Sequence, residues 1–420
     1  MKKSGMDFLN DSLLYGMKPG LQNMETMCRY FNHPEKSFQV IHVVGTNGKG
    51  SSAYYLAQIL KAHEKKAGLF SSPHLVSLQE RIRVNQEAIS KADLESTLLE
   101  VQKAAIEKKI SPTFFEIMTM VCLLYFREQQ IEVAVLEAGL GGRLDSTAIA
   151  KGKYCVLTSI GLDHTEILGD SLSSILNEKL GILSAGSLLI RFSLGSNLDT
   201  QASQLVKEKY ASEMVVERDL SLVLLNGGTH FKENATLSLK AAELVLGKEW
   251  KNSVALEALS QNAWAGRMHL LKNKNEKLEF ILDGAHNLHA MERLVETLNA
   301  DFHGMTFPCV FGAVKDKDAS DMIRLLAPFV SKWYFTRTPY MRFRETEELA
   351  EILLQYGKTP ERQFMLSKED LLECQKEANG APILVTGSLY LIGGVVDLLK
   401  NDFESLSFFR GLEATTNEHR

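Results

Sequence analysis

Residues 39–60 read QVIHVVGTNGKGSSAYYLAQIL. A β-branched apolar run, Val40–Val44, meets a glycine-rich turn that carries one lysine, and a helical pattern runs on from Ser51 to His63. Strand, glycine turn and helix in that order make a phosphate-binding loop, because the turn's N–H groups and the positive end of the helix all face an anion. The spacing departs from the commoner G-x-x-x-x-G-K-[ST] arrangement. Valine stands at position 43, and Gly50 separates Lys49 from Ser51.

On either side of this stretch, strand-like runs alternate with helical ones. Ala67–Phe70, Val133–Leu136 and Tyr154–Ile160 read as strands; Lys91–Lys108, a segment opening at Pro112, and Leu172–Leu183 read as helices. The strands are almost continuously apolar rather than alternating, which is the signature of a parallel sheet covered on both faces. The pattern is a doubly wound α/β arrangement. Around Val215–Leu225 the runs become short and β-rich, and LKAAELVLGKEW and SVALEALSQNAW read as helices. A second strand–helix alternation follows, with strands at Leu278–Leu282, Pro308–Phe311, Trp333–Thr336 and Ile383–Thr386. The boundary is expected near Trp264, giving domains 1–263 and 264–420.

Ligands of open parallel sheets gather at the carboxyl ends of the strands. In the first domain those ends are Gly45-Thr46-Asn47-Gly48-Lys49-Gly50-Ser51, then Ser71-Ser72, then Glu137, then Asp163-His164. Each has a plain alternative: a tight turn, a loop histidine, or a pair between Glu137 and Arg143. Their combination, in order at successive strands, favours a metal–nucleotide site. Lys49 would supply a point charge to the outer phosphates. A serine hydroxyl, a carboxylate and an imidazole suit Mg²⁺, which keeps few protein ligands beside water and phosphate.

Lys179 adds a separate signal. It stands seven after Leu172, four after Ile175 and three after Leu176, so it shares the apolar stripe of its helix. One reading is a lysine snorkelling past the edge of the stripe. The other is a desolvated lysine whose amine is neutral and able to take up CO₂ as a carbamate.

Composition bounds the partners. The chain has 420 residues, 45% apolar and 24% charged, and a net charge of −5 with mixed signs. With no basic stripe, no nucleic-acid partner is expected. The five cysteines, Cys28, Cys122, Cys155, Cys309 and Cys374, are far apart, as in a reducing cytosol. No signal peptide or run of membrane-spanning length is visible. A cytoplasmic monomer acting on small molecules is the expectation.

The motifs HVVGTNGKGSS, LFSSPHLVSLQERIRVN, PTFFE, LEAGLGGRLDST, SIGLDHTEILGD with NEKLGI, GTHFKENA, WAGR, LDGAHN, FGAVKDKD and LVTGSLYLIG occur in this order. Together they resemble the folylpolyglutamate synthase/dihydrofolate synthase family of the Mur ligase superfamily, over nearly the whole chain. The short G-T-N-G-K-G-S spacing is that family's form of the loop. The resemblance implies an N-terminal P-loop domain with a mostly parallel doubly wound sheet and a smaller, Rossmann-like C-terminal α/β domain. It implies an ATP-dependent ligase that makes an acyl phosphate on a folate and joins L-glutamate to it, with dihydropteroate as an alternative acceptor. ATP is then a co-substrate and Mg²⁺ the cofactor.

Carried over by motif, Gly45 to Ser51 would hold phosphates. Ser72, Glu137 and His164 would bind magnesium, and Lys179 would be the carbamylated lysine. Asn234, Arg267 and Asp283 would contact the nucleotide, and His286 and Ser388 the incoming glutamate. Lys49, His164 and Lys179 are the expected catalytic groups. The family pattern is broken at Leu288 and Ala265, where proline is usual, at Phe231, where glutamine is usual, and at Leu180, where alanine is usual. The lost prolines are expected to loosen a hinge near Asn262–Arg267, and Phe231 to alter base or ribose contacts. The competing reading is another ligase of the superfamily, acting on a UDP-linked cell-wall precursor. The absence of a uridine-binding domain before the loop disfavours it.

Overall fold

The structure, a computed structural model, describes residues 4–16, 20–225, 227–410 and 412. The first sheet contains β1 (Gln39–Val44), β2 (Ala67–Phe70), β3 (Ile82–Val84), β4 (Glu87–Ala88), β5 (Val133–Glu137), β6 (Tyr154–Leu157), β7 (Leu188–Arg191) and β8 (Ser212–Val215). Their order is β4-β3-β2-β5-β1-β6-β7-β8. All neighbours are parallel except at one edge, where β2, β3 and β4 pair antiparallel. β3 and β4 are joined through Asn85 and Gln86, both at positive φ, as a tight two-residue hairpin needs.

The order of the strands positions the site. β1 lies between β5 and β6, with Val43 opposite Glu137 and Val44 opposite Leu157. β2 lies on the other side of β5, with Phe70 opposite Leu136. The glycine turn after β1 therefore has Glu137 on one flank and Thr158-Ser159 on the other, with Ser71-Ser72 one strand further out. β1 and β5 are buried almost throughout, at about 1.5–3 kcal/mol for each large apolar side chain taken from water. The helix Lys49–Ala62 is buried from Ser51 to Leu60 and so lies within the core rather than on it.

The second sheet contains β9 (His269–Lys272), β10 (Leu278–Leu282), β11 (Phe307–Phe311), β12 (Val330–Thr336), β13 (Arg362–Phe364) and β14 (Ile383–Thr386). Its order is β13-β12-β11-β14-β10-β9, parallel except for the edge strand β9. Alternate residues enter separate cores. Ile281, Cys309, Phe311 and Leu384 face one cluster, and Phe280, Leu282, Val310, Ile383 and Val385 face the other. Both faces are thus covered, as the largely apolar central strands require.

The chain divides into two compact units, one of Met1–Ser72, Gln79–Val223 and Lys232–Asn262, the other of Pro73–Leu78, Leu224–Phe231 and Ala263–Arg420. Several sequence-based expectations are corrected. β6 stops at Leu157, not Ile160, because Thr158 and Ser159 bond to the glycine turn instead of a neighbouring strand. The helix beginning at Leu172 ends at Leu180, capped by Gly181. The stretch expected to be β-rich, Val215–Leu225, overlaps a strand only at Val215, the last residue of β8, and the next helix begins at Thr229, well before LKAAELVLGKEW. Phe231 is fully buried in an apolar cluster with Met268 and Ile281, and its ring packs on His230 at 4.0 Å. It is a core residue, and its ring has a packing role.

Candidate active site

The turn after β1 is built on two glycines that no other residue replaces without strain. Gly45 has φ of 151°, and a Cβ there would lie 2.0 Å from Thr158 Oγ1. Gly48 has φ of 83° and caps the helix Lys49–Ala62; a Cβ there would lie 2.4 Å from Asn234 Oδ1. The turn is tied to the loop after β6. Thr46 N donates to Ser159 O at 2.9 Å, Thr46 Oγ1 to Gly161 O at 3.0 Å, and Asn47 N to Ser159 Oγ at 3.0 Å. Thr158 Oγ1 donates to Asn47 O at 2.6 Å. These bonds set the turn's shape before any ligand arrives.

Two lysines converge on this turn. Lys49 Nζ donates to Gly45 O at 3.0 Å and Thr46 O at 3.1 Å. Lys179 Nζ donates to the same Gly45 O at 2.8 Å. Lys179 is 4% exposed, so it lies with its apolar stripe and does not snorkel. Burial, and then the Lys49 charge, pull its pKa down to about 7, while Asp163 and Asp145 oppose them. Burial thus favours the neutral amine of Lys179 well below the pH at which an exposed lysine would lose its proton.

Lys179 is placed by the loop after β5. Gly142 lies against the Lys179 carbonyl, where a Cβ would sit at 2.3 Å, and Arg143 N donates to Glu178 O at 2.8 Å. Arg143 pairs with Glu178 at 2.9 Å, leaving Glu137 to a different use. The loop itself is held by buried Asp145, which accepts from Leu140 N at 2.9 Å, Thr147 N at 3.0 Å and Thr147 Oγ1 at 2.6 Å. Burial raises the Asp145 carboxyl, with those hydrogen bonds acting against it.

Glu137 ends β5 at 3% exposure, and its Oε2 accepts from Ser72 N at 3.0 Å. A buried carboxylate beside a serine is a donor set for a small hard cation that keeps water and phosphate oxygens in its shell. His164 stands beyond the end of β6, in the left-handed region at the start of the short helix Thr165–Leu168. Its ring is half exposed, with Nε2 4.0 Å from Asp163. No group of three or more His, Cys, Asp or Glu converges among the described residues. The Ser72, Glu137 and His164 set contains two such side chains and would rely on ligands from substrate and solvent.

Asn234, buried on the helix Thr229–Leu246, is brought to the turn at Gly48. Ser238, one helical turn on, donates to Ser52 O at 2.9 Å and fixes that helix beside the loop helix. Arg267, Asp283, His286 and Ser388 belong to the second unit. Asp283, just after β10, accepts from Met268 N and Ala285 N, both at 2.9 Å. Burial raises its carboxyl and Arg267 counteracts this. Arg267 Nη1 donates to Gly284 O at 3.3 Å, and His286 Nδ1 lies 2.7 Å from the same oxygen. Ser388 caps the helix Leu389–Leu399 by accepting from Tyr390 N at 3.1 Å.

Thr158, Ser159 and Asp145 were not singled out from sequence, though each carried a signal. Thr158-Ser159 are hydroxyls following an apolar strand, and Asp145 precedes Ser-Thr as a helix cap does.

Comparison with known proteins gives a consistent result. Residues 43–288 match the Mur ligase middle domain, and residues 266–389 match the Mur ligase glutamate ligase domain. The dihydrofolate synthase/folylpolyglutamate synthase of Bacillus subtilis is 31% identical, over 94% of this chain and 98% of that protein. The structure of Escherichia coli FolC in complex with DHPP and ADP is 27% identical with a TM-score of 0.82, covering 95% of this chain and 98% of that one. The bifunctional enzyme of Yersinia pestis complexed with AMPPNP and Mn ion is 26% identical with a TM-score of 0.81, over 95% of this chain and 100% of that one.

Proposed function

The chain belongs to the folylpolyglutamate synthase/dihydrofolate synthase family of Mur ligases, and from that premise we propose how its own residues carry out the reaction. It is an ATP-dependent ligase that adds L-glutamate to a folate, with dihydropteroate as a further acceptor. ATP is its co-substrate and a divalent ion, Mg²⁺, its cofactor. The acceptor carboxylate attacks the γ-phosphorus and ADP leaves. The glutamate amine then attacks the acyl carbon, an amide forms, and phosphate leaves.

In this reading the turn Gly45–Ser51 cradles the phosphates through its N–H groups, and Lys49 leaves its loop carbonyls to meet the outer phosphate. Ser72, Glu137 and His164 would hold the ion, which when bound would neutralise phosphate charge. Lys179, as its carbamate, would turn a neutral amine into an anion on the same side of the glycine turn, complementing the ion's charge. Asn234, Arg267 and Asp283 contact the nucleotide, and His286 and Ser388 receive glutamate. The functional division is 1–263 for nucleotide and acceptor and 264–420 for glutamate. We place the reaction in the cytoplasm, with the protein acting as a monomer; five free, buried cysteines support a reducing compartment. Among the described residues no helix is long and apolar enough to cross a membrane.

The observation that carries the mechanism is the meeting of Lys49 and Lys179 on the Gly45 carbonyl, beside a glycine turn already locked in shape. Phosphoryl transfer depends mainly on positioning and charge neutralisation, which such a turn supplies. The test is ADP release measured with folate, glutamate and Mg²⁺ each omitted in turn. Release that needs all three supports the ligase. Release indifferent to folate and glutamate sinks it.

A further inference from the structure

We propose that Lys49 has a second role beyond phosphate binding: its charge drives Lys179 into the carbamate form and then pairs with that carbamate. The inference rests on the carbamate reading of Lys179 given above.

Three features of the geometry support it. The acceptor is shared, since both Nζ atoms bond to Gly45 O, at 3.0 Å from Lys49 and 2.8 Å from Lys179. The acceptor is fixed, because the turn that carries it is tied to the loop after β6 through Thr46 N, Thr46 Oγ1, Asn47 N and Thr158 Oγ1. Both lysines are anchored at this turn. Lys179 is enclosed with Ile175, Leu176 and Leu180, and Lys49 is held a second time by Thr46 O.

Two ammonium ions on one neutral carbonyl repel each other strongly where water is scarce. The more buried one gives up its proton. Lys179 is that one, and Lys49 is the largest named charge acting on it in this direction. Asp163 and Asp145 act in the opposite sense, and Lys49 adds to burial against them.

The chemistry then runs forward on the same charge. The Lys179 Nζ lone pair attacks the carbon of CO₂ and an N–C bond forms. One C–O π pair moves onto oxygen, and a proton leaves Nζ to water. The balance is amine plus CO₂ giving carbamate and H⁺, with no oxidant or further reactant. Before the step Lys49 disfavours the competing ammonium form. After it, Lys49 faces an anion and attracts it. Both effects move the equilibrium the same way, which makes Lys49 a positioning residue for the carbamate.

The test equilibrates the full chain with ¹³C-bicarbonate at fixed, mildly alkaline pH and follows the carbamate resonance, assigned by its loss in Lys179→Met. Lys49→Met is expected to lower carbamate occupancy at a given CO₂ by about tenfold or more, the equivalent of one pKa unit. Lys49→Arg keeps the charge and should keep the signal, although both variants turn over ATP poorly. Lys49→Gln repeats the measurement if Lys49→Met does not melt like the parent. Wild-type occupancy in Lys49→Met overturns the proposal, as does a signal in Lys49→Arg as low as in Lys49→Met. A parent protein that forms ADP but shows no carbamate overturns the carbamate reading and this inference together, while leaving the ligase reading intact.

Discussion

The carboxyl edges of the two sheets carry similar side chains and use them differently. At the second, several polar groups serve nearby backbone: Asp283 holds Met268 N and Ala285 N, Asn287 caps the helix Leu288–Asp301, Ser388 caps the helix Leu389–Leu399, and His286 meets Gly284 O. These bonds shape loops. At the first, two lysines crowd one carbonyl and a carboxylate is buried at the end of a strand. A fold has no need of such crowding, and it costs stability. On the proposed mechanism the first edge would serve the chemistry and the second would present a shaped surface. Substitutions at the first should remove rate, and those at the second should alter substrate affinity or stability.

The largest effect is expected at Lys49. Lys49→Ala should lower ADP-forming turnover by about 10²–10³-fold, the usual loss for one preorganised charge-stabilising group, with little change in melting temperature. A variant retaining most of its turnover would place the phosphate contact elsewhere.

Lys179 gives the same comparison a pH dependence. Its pKa is drawn down to about 7, so the folded protein binds fewer protons than the unfolded chain between that value and the ordinary lysine value of about 10.4. Stability from this group therefore rises with pH across that window and is flat below it. Carbamate formation needs the neutral amine, so bicarbonate-stimulated activity should fall as the pH drops through about 7. Lys179→Met should flatten both profiles. A bicarbonate response that survives in Lys179→Met would break the assignment.

His286→Ala tests the second edge. If the imidazole meets glutamate, the KM for glutamate should rise by roughly 10–100-fold, as when one charge-assisted hydrogen bond is lost. Nucleotide affinity, measured by calorimetry, should not change. Equal losses in both would mean that the loop, rather than a contact, had been disturbed. Asp283→Ala should act on stability, at about 1–3 kcal/mol, because two buried N–H groups lose their acceptor. Denaturant unfolding reads that loss directly.

What the sequence disclosed follows the range of the interactions. β1, β5, β10, β11 and β14 were legible because each is a mostly apolar run. The burial of Lys179 was legible because helical periodicity is local. Non-local partners were not. Arg191 lies at the end of β7 with its side chain 2% exposed, paired with Asp199 and, at 2.7 Å, with Glu213 of β8. Nothing near Arg191 in the chain announces that a charge is neutralised inside, so β7 and β8 did not read as strands. The β3–β4 hairpin was hidden in the same way by Arg83, which is buried although its sequence neighbours look like a surface loop. The residues that lock the glycine turn, Thr158 and Ser159, are contacts across the sheet and become visible only once β6 is known to lie beside β1.

The smallest effect concerns Leu288. The departure from proline there was expected to loosen the chain, and the structure gives a reason for that effect to be slight. Leu288 is the first residue of its helix, where the N–H has no intrahelical partner, and it is 39% exposed. Asn287 before it is already extended, with φ of −141° and ψ of 166°, close to what a following proline imposes. Leu288→Pro should therefore fit without strain and act on the unfolded chain, raising stability by about 0.4–1 kcal/mol. Thermal melting of the variant checks this. A loss of stability instead would mean that the Leu288 side chain or its N–H makes a contact the second edge depends on, and that this edge is less self-sufficient than its hydrogen bonds imply.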